Sequence, residues 1–185
     1  MKIVQSLALA GIALLPTSAF ADWAGGYLGG SLGVTATDEA EQFGVTEFET
    51  ENHNPIGFFA GYQAQSNQFV YGAEYAVSFS AVEANGADAD AVYGDLKFRA
   101  GYDLGQILPY ALLSVSAAVF SDDDDDTTAS GLGFGAGVDY AVSDNFVVGG
   151  EFIFRAGDSV EVDGLEAPDA SVESTALSVR AAYKF

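Results

Sequence analysis

From residue 69 to residue 82 the chain changes character at every step. Phe69, Tyr71, Ala73, Tyr75, Val77, Phe79 and Ala81 share one parity; Val70, Gly72, Glu74, Ala76, Ser78, Ser80 and Val82 share the other. Side chains alternate across a strand, so this stretch makes one greasy face and one mostly small or polar face. Residues 92–103, 132–142, 146–155 and 177–185 alternate in the same way, and 24–35 and 56–65 do so more weakly. Residues 109–120 are apolar on both parities, so their facing stays open. The pattern predicts eight strands, each near the ~9–11 residues that a tilted membrane-crossing strand needs.

The connections alternate too. Short turns are expected at 66–68, 104–108 and 143–145, and long polar loops at 36–55, 83–91, 121–130 and 156–171. Short turns on one rim and long loops on the other mark an up-and-down barrel that crosses a membrane. A helical crossing is not available after the N-terminal region. The longest apolar stretch, 107–120, is interrupted by Pro109, Ser114 and Ser116, and it is too short to span as a helix.

Residues 1–21 read as a cleaved secretory signal peptide: Lys2, then an apolar run to Leu15, a break at Pro16, and Ala19-Phe20-Ala21 as a small-x-small cleavage site. The barrel domain is then expected to be 22–185. Removing Lys2 takes the net charge from −21 to −22. So acidic a chain has no means of neutralising phosphates, which excludes a generic nucleic-acid partner. The absence of Cys excludes disulfides, thiol nucleophiles and Cys-held metals.

Alternation alone does not say whether the greasy face points inward, as in a lipocalin-type soluble barrel, or outward. The placement of charge favours outward. All five basic residues after the leader, Lys97, Arg99, Arg155, Arg180 and Lys184, sit on the polar parity of strands. Glu74, Asp95, Asp139 and Glu151 share that parity. Mixed charges on one face predict ion pairs filling a narrow lumen, since a charge removed from water needs a partner. The expected lumen network is therefore Glu74, Asp95, Lys97, Arg99, Asp139, Glu151, Arg155 and Arg180. Trp23, Tyr62, Phe69, Tyr71, Tyr102, Tyr140, Phe146, Tyr183 and Phe185 lie near the short-turn rim and are expected to form an interfacial aromatic girdle.

Two sequence stretches carry a family resemblance. Trp23-Ala-Gly25-Gly-Tyr27-Leu-Gly29-Gly-Ser-Leu-Gly33 resembles the W-x-G-x-Y-x-G-x-x-x-G opening of small outer-membrane β-barrel proteins of Gram-negative bacteria. These are the opacity-type and porin-family proteins, akin in architecture to the OmpA transmembrane domain. Arg180-Ala-Ala-Tyr183-Lys-Phe185 resembles their terminal strand. The resemblance implies an all-β, eight-stranded antiparallel up-and-down transmembrane β-barrel in the cell outer membrane, with periplasmic termini and long loops outside. It also implies contact with outer-membrane lipid and lipopolysaccharide, and reading of Phe185 by the barrel-assembly machinery. It says little about activity, because one such architecture hosts many roles.

Candidate chemistry is thin. Most of the 27 acids lie in the long loops, densest at Asp122, Asp123, Asp124, Asp125 and Asp126. Carboxylates suit divalent cations, but five acids in a row lack the spacing and turn glycine of a calcium loop. A solvated, self-repelling loop is the plainer reading. His53 is the only His, with no Ser beside it in sequence, so a base–nucleophile pair is not indicated. The Gly131, Gly133, Gly135 and Gly137 series precedes no helix, so it reads as room-making in a tight barrel and not as a phosphate loop. No cofactor and no catalysis are expected. Two functions remain: a plugged structural or surface-interaction barrel, or a small channel whose acidic mouth prefers cations.

Overall fold

The computed structural model describes residues 22–39, 54–84, 87–121, 126–162, 165–166 and 172–185. Within them run β1 (Gly25–Glu39), β2 (Ile56–Ser66), β3 (Phe69–Ala84), β4 (Ala87–Tyr102), β5 (Ile107–Ser121), β6 (Asp126–Ala141), β7 (Phe146–Val162), β8 (Leu165–Glu166) and β9 (Val172–Lys184). Each long strand pairs antiparallel with its neighbour in the chain, and β9 pairs with both β7 and β1. The sheet therefore closes on itself as an eight-stranded barrel. The two-residue β8 only folds back on the end of β7.

The register fixes the shape. The row Gly25–Gln63–Gly72–Arg99–Leu112–Gly135–Ile153–Ala176 returns to β1 at Thr35, ten residues beyond its start. That stagger over eight strands tilts them roughly 43° and leaves an interior just wide enough for side chains.

The greasy parity faces out. Leu28, Phe58, Tyr75, Phe98, Leu113, Phe134, Phe152 and Val179 are all exposed. On β3 the outward band runs from Phe69 to Phe79, roughly 24 Å along the barrel axis at ~3.3 Å per residue and that tilt. This matches the apolar belt of a membrane-spanning barrel.

Three expectations change. First, the strands are taller than alternation implied. Residues 87–91, 126–130 and 156–162 are strand, as are 83 and 84, so the β3–β4 connection shrinks to residues 85–86 and the β5–β6 connection to 122–125. These stretches hold few large apolar side chains, so the contrast between greasy and polar parities fades. An extra residue, Asp158, enters β7 where Ser130 pairs with Ser159 and Gly131 with Gly157, bending the strand as a β-bulge does. Second, β5 faces Leu108, Tyr110, Leu112, Ser114 and Ser116 inward and Leu113 and Val115 outward. Third, Trp23 is not in the girdle. It is 1% exposed, because the chain before β1 turns into the barrel mouth. Tyr62, Phe69, Tyr71, Tyr102, Phe146, Tyr183 and Phe185 are exposed near that rim as expected.

Candidate functional site: the charged lumen

Eight ionisable side chains converge inside the barrel, four acidic and four basic: Glu74, Asp95, Asp139, Glu151, Lys97, Arg99, Arg155 and Arg180. All but Arg155 are buried at the level of the whole residue, and the Arg155 side chain is 12% exposed. They are the residues that parity assigned to the inside.

The middle layer centres on Glu74. Its carboxylate accepts from Arg99 Nη1 at 3.2 Å, from Arg180 Nη1 at 3.3 Å and from Arg180 Nη2, with Lys97 Nζ at 3.4 Å. Glu151 accepts from Arg180 Nη1 at 2.6 Å and from Lys97 Nζ. Asp139 accepts from Arg99 Nη2 at 2.5 Å. Nearer the long-connection rim, Arg155 grips Asp95 with two bonds of 2.8 and 2.6 Å, and Ser116 Oγ donates to Asp95 at 2.6 Å. Such forked pairs fix geometry as well as charge.

Sequence reasoning missed the tyrosines in this network. Tyr27 donates to Glu74 at 3.0 Å, and Tyr110 donates to Glu151 at 2.9 Å. The Arg99 guanidinium carbon lies 3.7 Å from the Tyr110 ring centre, and that of Arg180 lies 4.0 Å from the Phe59 ring centre. Tyr27 and Phe59 were legible as inward by parity; Tyr110 was not, because β5 carries no polar contrast. Ser114 was hidden in the same strand.

The layer has an internal repeat. Tyr27, Gly61 and Glu74 share one row across β1, β2 and β3; Tyr110, Gly137 and Glu151 share one row across β5, β6 and β7. In each row the tyrosine ring lies over the glycine. A Cβ on Gly61 would sit 2.5 Å from Tyr27, and one on Gly137 would sit 2.3 Å from Tyr110. Each tyrosine hydroxyl then reaches the glutamate of its own row. Two residues along, Arg99 on β4 and Arg180 on β9 complete the two sets.

Little space is left. A cavity of about 40 Å³ lies on the long-connection side, lined by Phe59, Tyr93, Asp95, Lys97, Glu151 and Arg155 among others. A cavity of about 20 Å³ lies on the short-turn side, lined by Trp23, Tyr27, Gln63, Arg99, Asp139 and Arg180 among others. The charged layer separates them. Volumes of this size hold a few waters at most.

Asp126 begins β6, whereas Asp122, Asp123, Asp124, Asp125, His53 and the leader 1–21 lie outside the described residues. Among the described residues no group of three His, Asp or Glu side chains is placed to hold a metal. Phe185 is exposed at the short-turn rim, and its amide donates to Gly26 O at 2.9 Å.

Residues 6–185 match the family model described as outer membrane protein beta-barrel domain. A 22 kDa outer membrane protein of Rhizobium leguminosarum bv. viciae is 29% identical over 159 residues, covering 80% of this chain and 71% of that protein. A 25 kDa outer-membrane immunogenic protein of Brucella ovis is 28% identical over 176 residues, covering 80% and 87%. The crystal structure of Neisserial surface protein A superposes with a TM-score of 0.60 at 19% identity, covering 86% of this chain and 97% of that one. That last likeness concerns the fold.

Proposed function

This chain belongs to the outer membrane protein β-barrel family, and from that premise we propose that it serves as a closed, non-enzymatic scaffold displaying an acidic surface. In this reading the short turns and both termini face the periplasm and the long connections face outward. The lumen is plugged, and the barrel itself catalyses nothing. Phe185 is then the signal read by the assembly machinery. Lipid and lipopolysaccharide surround the belt, and divalent cations bridge rim carboxylates to anionic lipid.

The observation that carries this reading is the charged layer. Four acids and four bases neutralise one another inside the barrel, across the whole width of the lumen. Moving an ion through it means breaking buried pairs, each costing about 3–5 kcal/mol when one partner is lost. Residues 36–55, 83–91, 121–130 and 156–171 hold 19 of the 27 acids and no Lys or Arg. That rim supports a display role. The name of the Brucella ovis relative, which calls it immunogenic, fits surface display of the same architecture.

The same acidic rim favours a second reading, a small cation-preferring channel, if the layer can part. Single-channel recording of the refolded barrel in a planar bilayer separates the two. Folding is first verified by the gel shift between unheated and boiled samples. Silence from a folded barrel is the expected result. Steady, cation-selective steps would replace the scaffold reading with the channel.

A further inference from the structure

The short-turn end of the lumen is closed by a piece of chain that is not part of the barrel wall. Asp22, Trp23 and Ala24 lie before β1. Trp23 nonetheless ranks with Leu108, Glu74 and Asp95 as one of the largest fully buried side chains. It forms one buried cluster with Val70, Leu108 and Ala141, against which Val147 packs; these come from β3, β5, β6 and β7. The cluster around this one side chain thus draws on four strands of the wall.

The seat is polar and specific. Trp23 Nε1 donates to Asp103 Oδ1 at 3.1 Å and to Gly105 O at 3.2 Å. The Trp23 amide donates to Gln65 Oε1 at 2.8 Å, and Gln63 Nε2 donates to Trp23 O at 2.5 Å. Asp103 is buried, and it is held in turn by Gln65 Nε2 at 2.8 Å and by the Gly105 amide at 2.7 Å. Gly105 makes this possible with φ +89°, a left-handed turn that glycine adopts without strain. Outside the mouth, Asp22 Oδ1 accepts from the Ala24 amide at 3.0 Å, turning the chain inward. Lys184 Nζ donates to Asp22 O. Behind the indole lies the 20 Å³ cavity that reaches Arg99, Asp139 and Arg180.

We infer that residues 22–24 are a built-in stopper, seated in a socket made by Gln63, Gln65, Asp103 and Gly105, which seals the short-turn end of the lumen from water. A buried indole N–H needs an acceptor, and here a buried carboxylate meets it. Asp103 would otherwise be a buried charge without a purpose. This goes beyond the scaffold reading and does not depend on it. A silent barrel with a readily quenched indole would overturn this inference and leave that reading standing, whereas steady conduction would overturn both.

Trp23 is the only Trp and the chain has no Cys, so fluorescence and thiol labelling each report on one place. The refolded protein is placed in phosphatidylcholine vesicles with plain or brominated acyl chains, and acrylamide is added separately. A seated stopper gives weak quenching by both. Strong quenching by bromine puts the indole against lipid, strong quenching by acrylamide puts it in water, and either result overturns the inference. Ala182 is buried and lines the cavity behind the indole. In an Ala182→Cys barrel in micelles, a water-soluble thiol reagent should react slowly, and roughly tenfold or more faster once Trp23→Ala is added. Equal rates would show that Trp23 seals nothing. Should Trp23→Ala fail the gel-shift test of folding, Asp103→Ala serves in its place, since it removes the carboxylate that holds the indole N–H and Gln65 and leaves the barrel wall intact.

Discussion

Arg99 shows how much one side chain carries in this lumen. It bonds Glu74, Asp139 and the Tyr27 hydroxyl, and it stacks on Tyr110. Removing it takes one of three cations from Glu74 and leaves buried Asp139 with only Arg180 Nε, 3.7 Å away. Arg99→Ala should therefore lower stability by about 3–5 kcal/mol, measured by reversible urea unfolding in lipid vesicles. Asp124→Ala, in a run of like charges, should change it by no more than about 0.5 kcal/mol. Equal losses would deny the lumen its structural role. The sequence made Arg99 legible because a charge on the inner parity of a strand has only a partner to explain it. Which partner was not legible: the register that brings Asp139 of β6 across to Arg99 of β4 comes from closure of the whole barrel. Trp23 was misread for a related reason. An aromatic at a strand end reads as a girdle residue, and nothing local announces that the chain in front of the strand turns inward.

At the level of the strands, the two Tyr–Gly rows make a sharper test than any charge. Gly137→Ala drives a Cβ into the Tyr110 ring, where the contact would be 2.3 Å. The expected cost is about 1–3 kcal/mol of overpacking. Combining it with Tyr110→Ala should shrink the effect of the glycine change to what the Gly150 carbonyl oxygen, 2.7 Å from that Cβ, still imposes, a non-additivity that a double-mutant cycle in urea detects. The outer face answers to a different rule. Leu113, exposed in the middle of β5, faces lipid. Leu113→Arg should cost about 2–4 kcal/mol, whereas the same change near a rim costs at most about 1. A flat profile with depth would mean that the belt is not where the bilayer sits. Alternation revealed five of these strands well and two more weakly because inner and outer faces differ in polarity. It left β5 open because Leu108 and Leu112 are inward yet apolar, packing against Trp23 and Ile153. It lost the upper parts of β3, β4, β6 and β7, where large apolar side chains are few and the contrast between parities fades.

For the molecule as a whole, two halves stand in the same relation to each other as β1 does to β5. Tyr27, Gly61, Glu74 and Arg99 answer Tyr110, Gly137, Glu151 and Arg180 across four strands. The seam between β9 and β1 is continuous with the sheet on either side, and the Phe185 amide already bonds Gly26. A closed barrel of this kind has no topological beginning. The chain's ends are then a matter of where synthesis starts, and a circular permutant is the direct consequence. Joining residue 185 to residue 22 through a short flexible linker, and opening the chain between Gln106 and Ile107, puts β5 first and keeps every row. The permutant should refold in vesicles to a barrel with the same gel shift, even though Phe185 has become an internal residue. Its failure would show that the order in which strands arrive matters to this fold as much as the contacts they finally make.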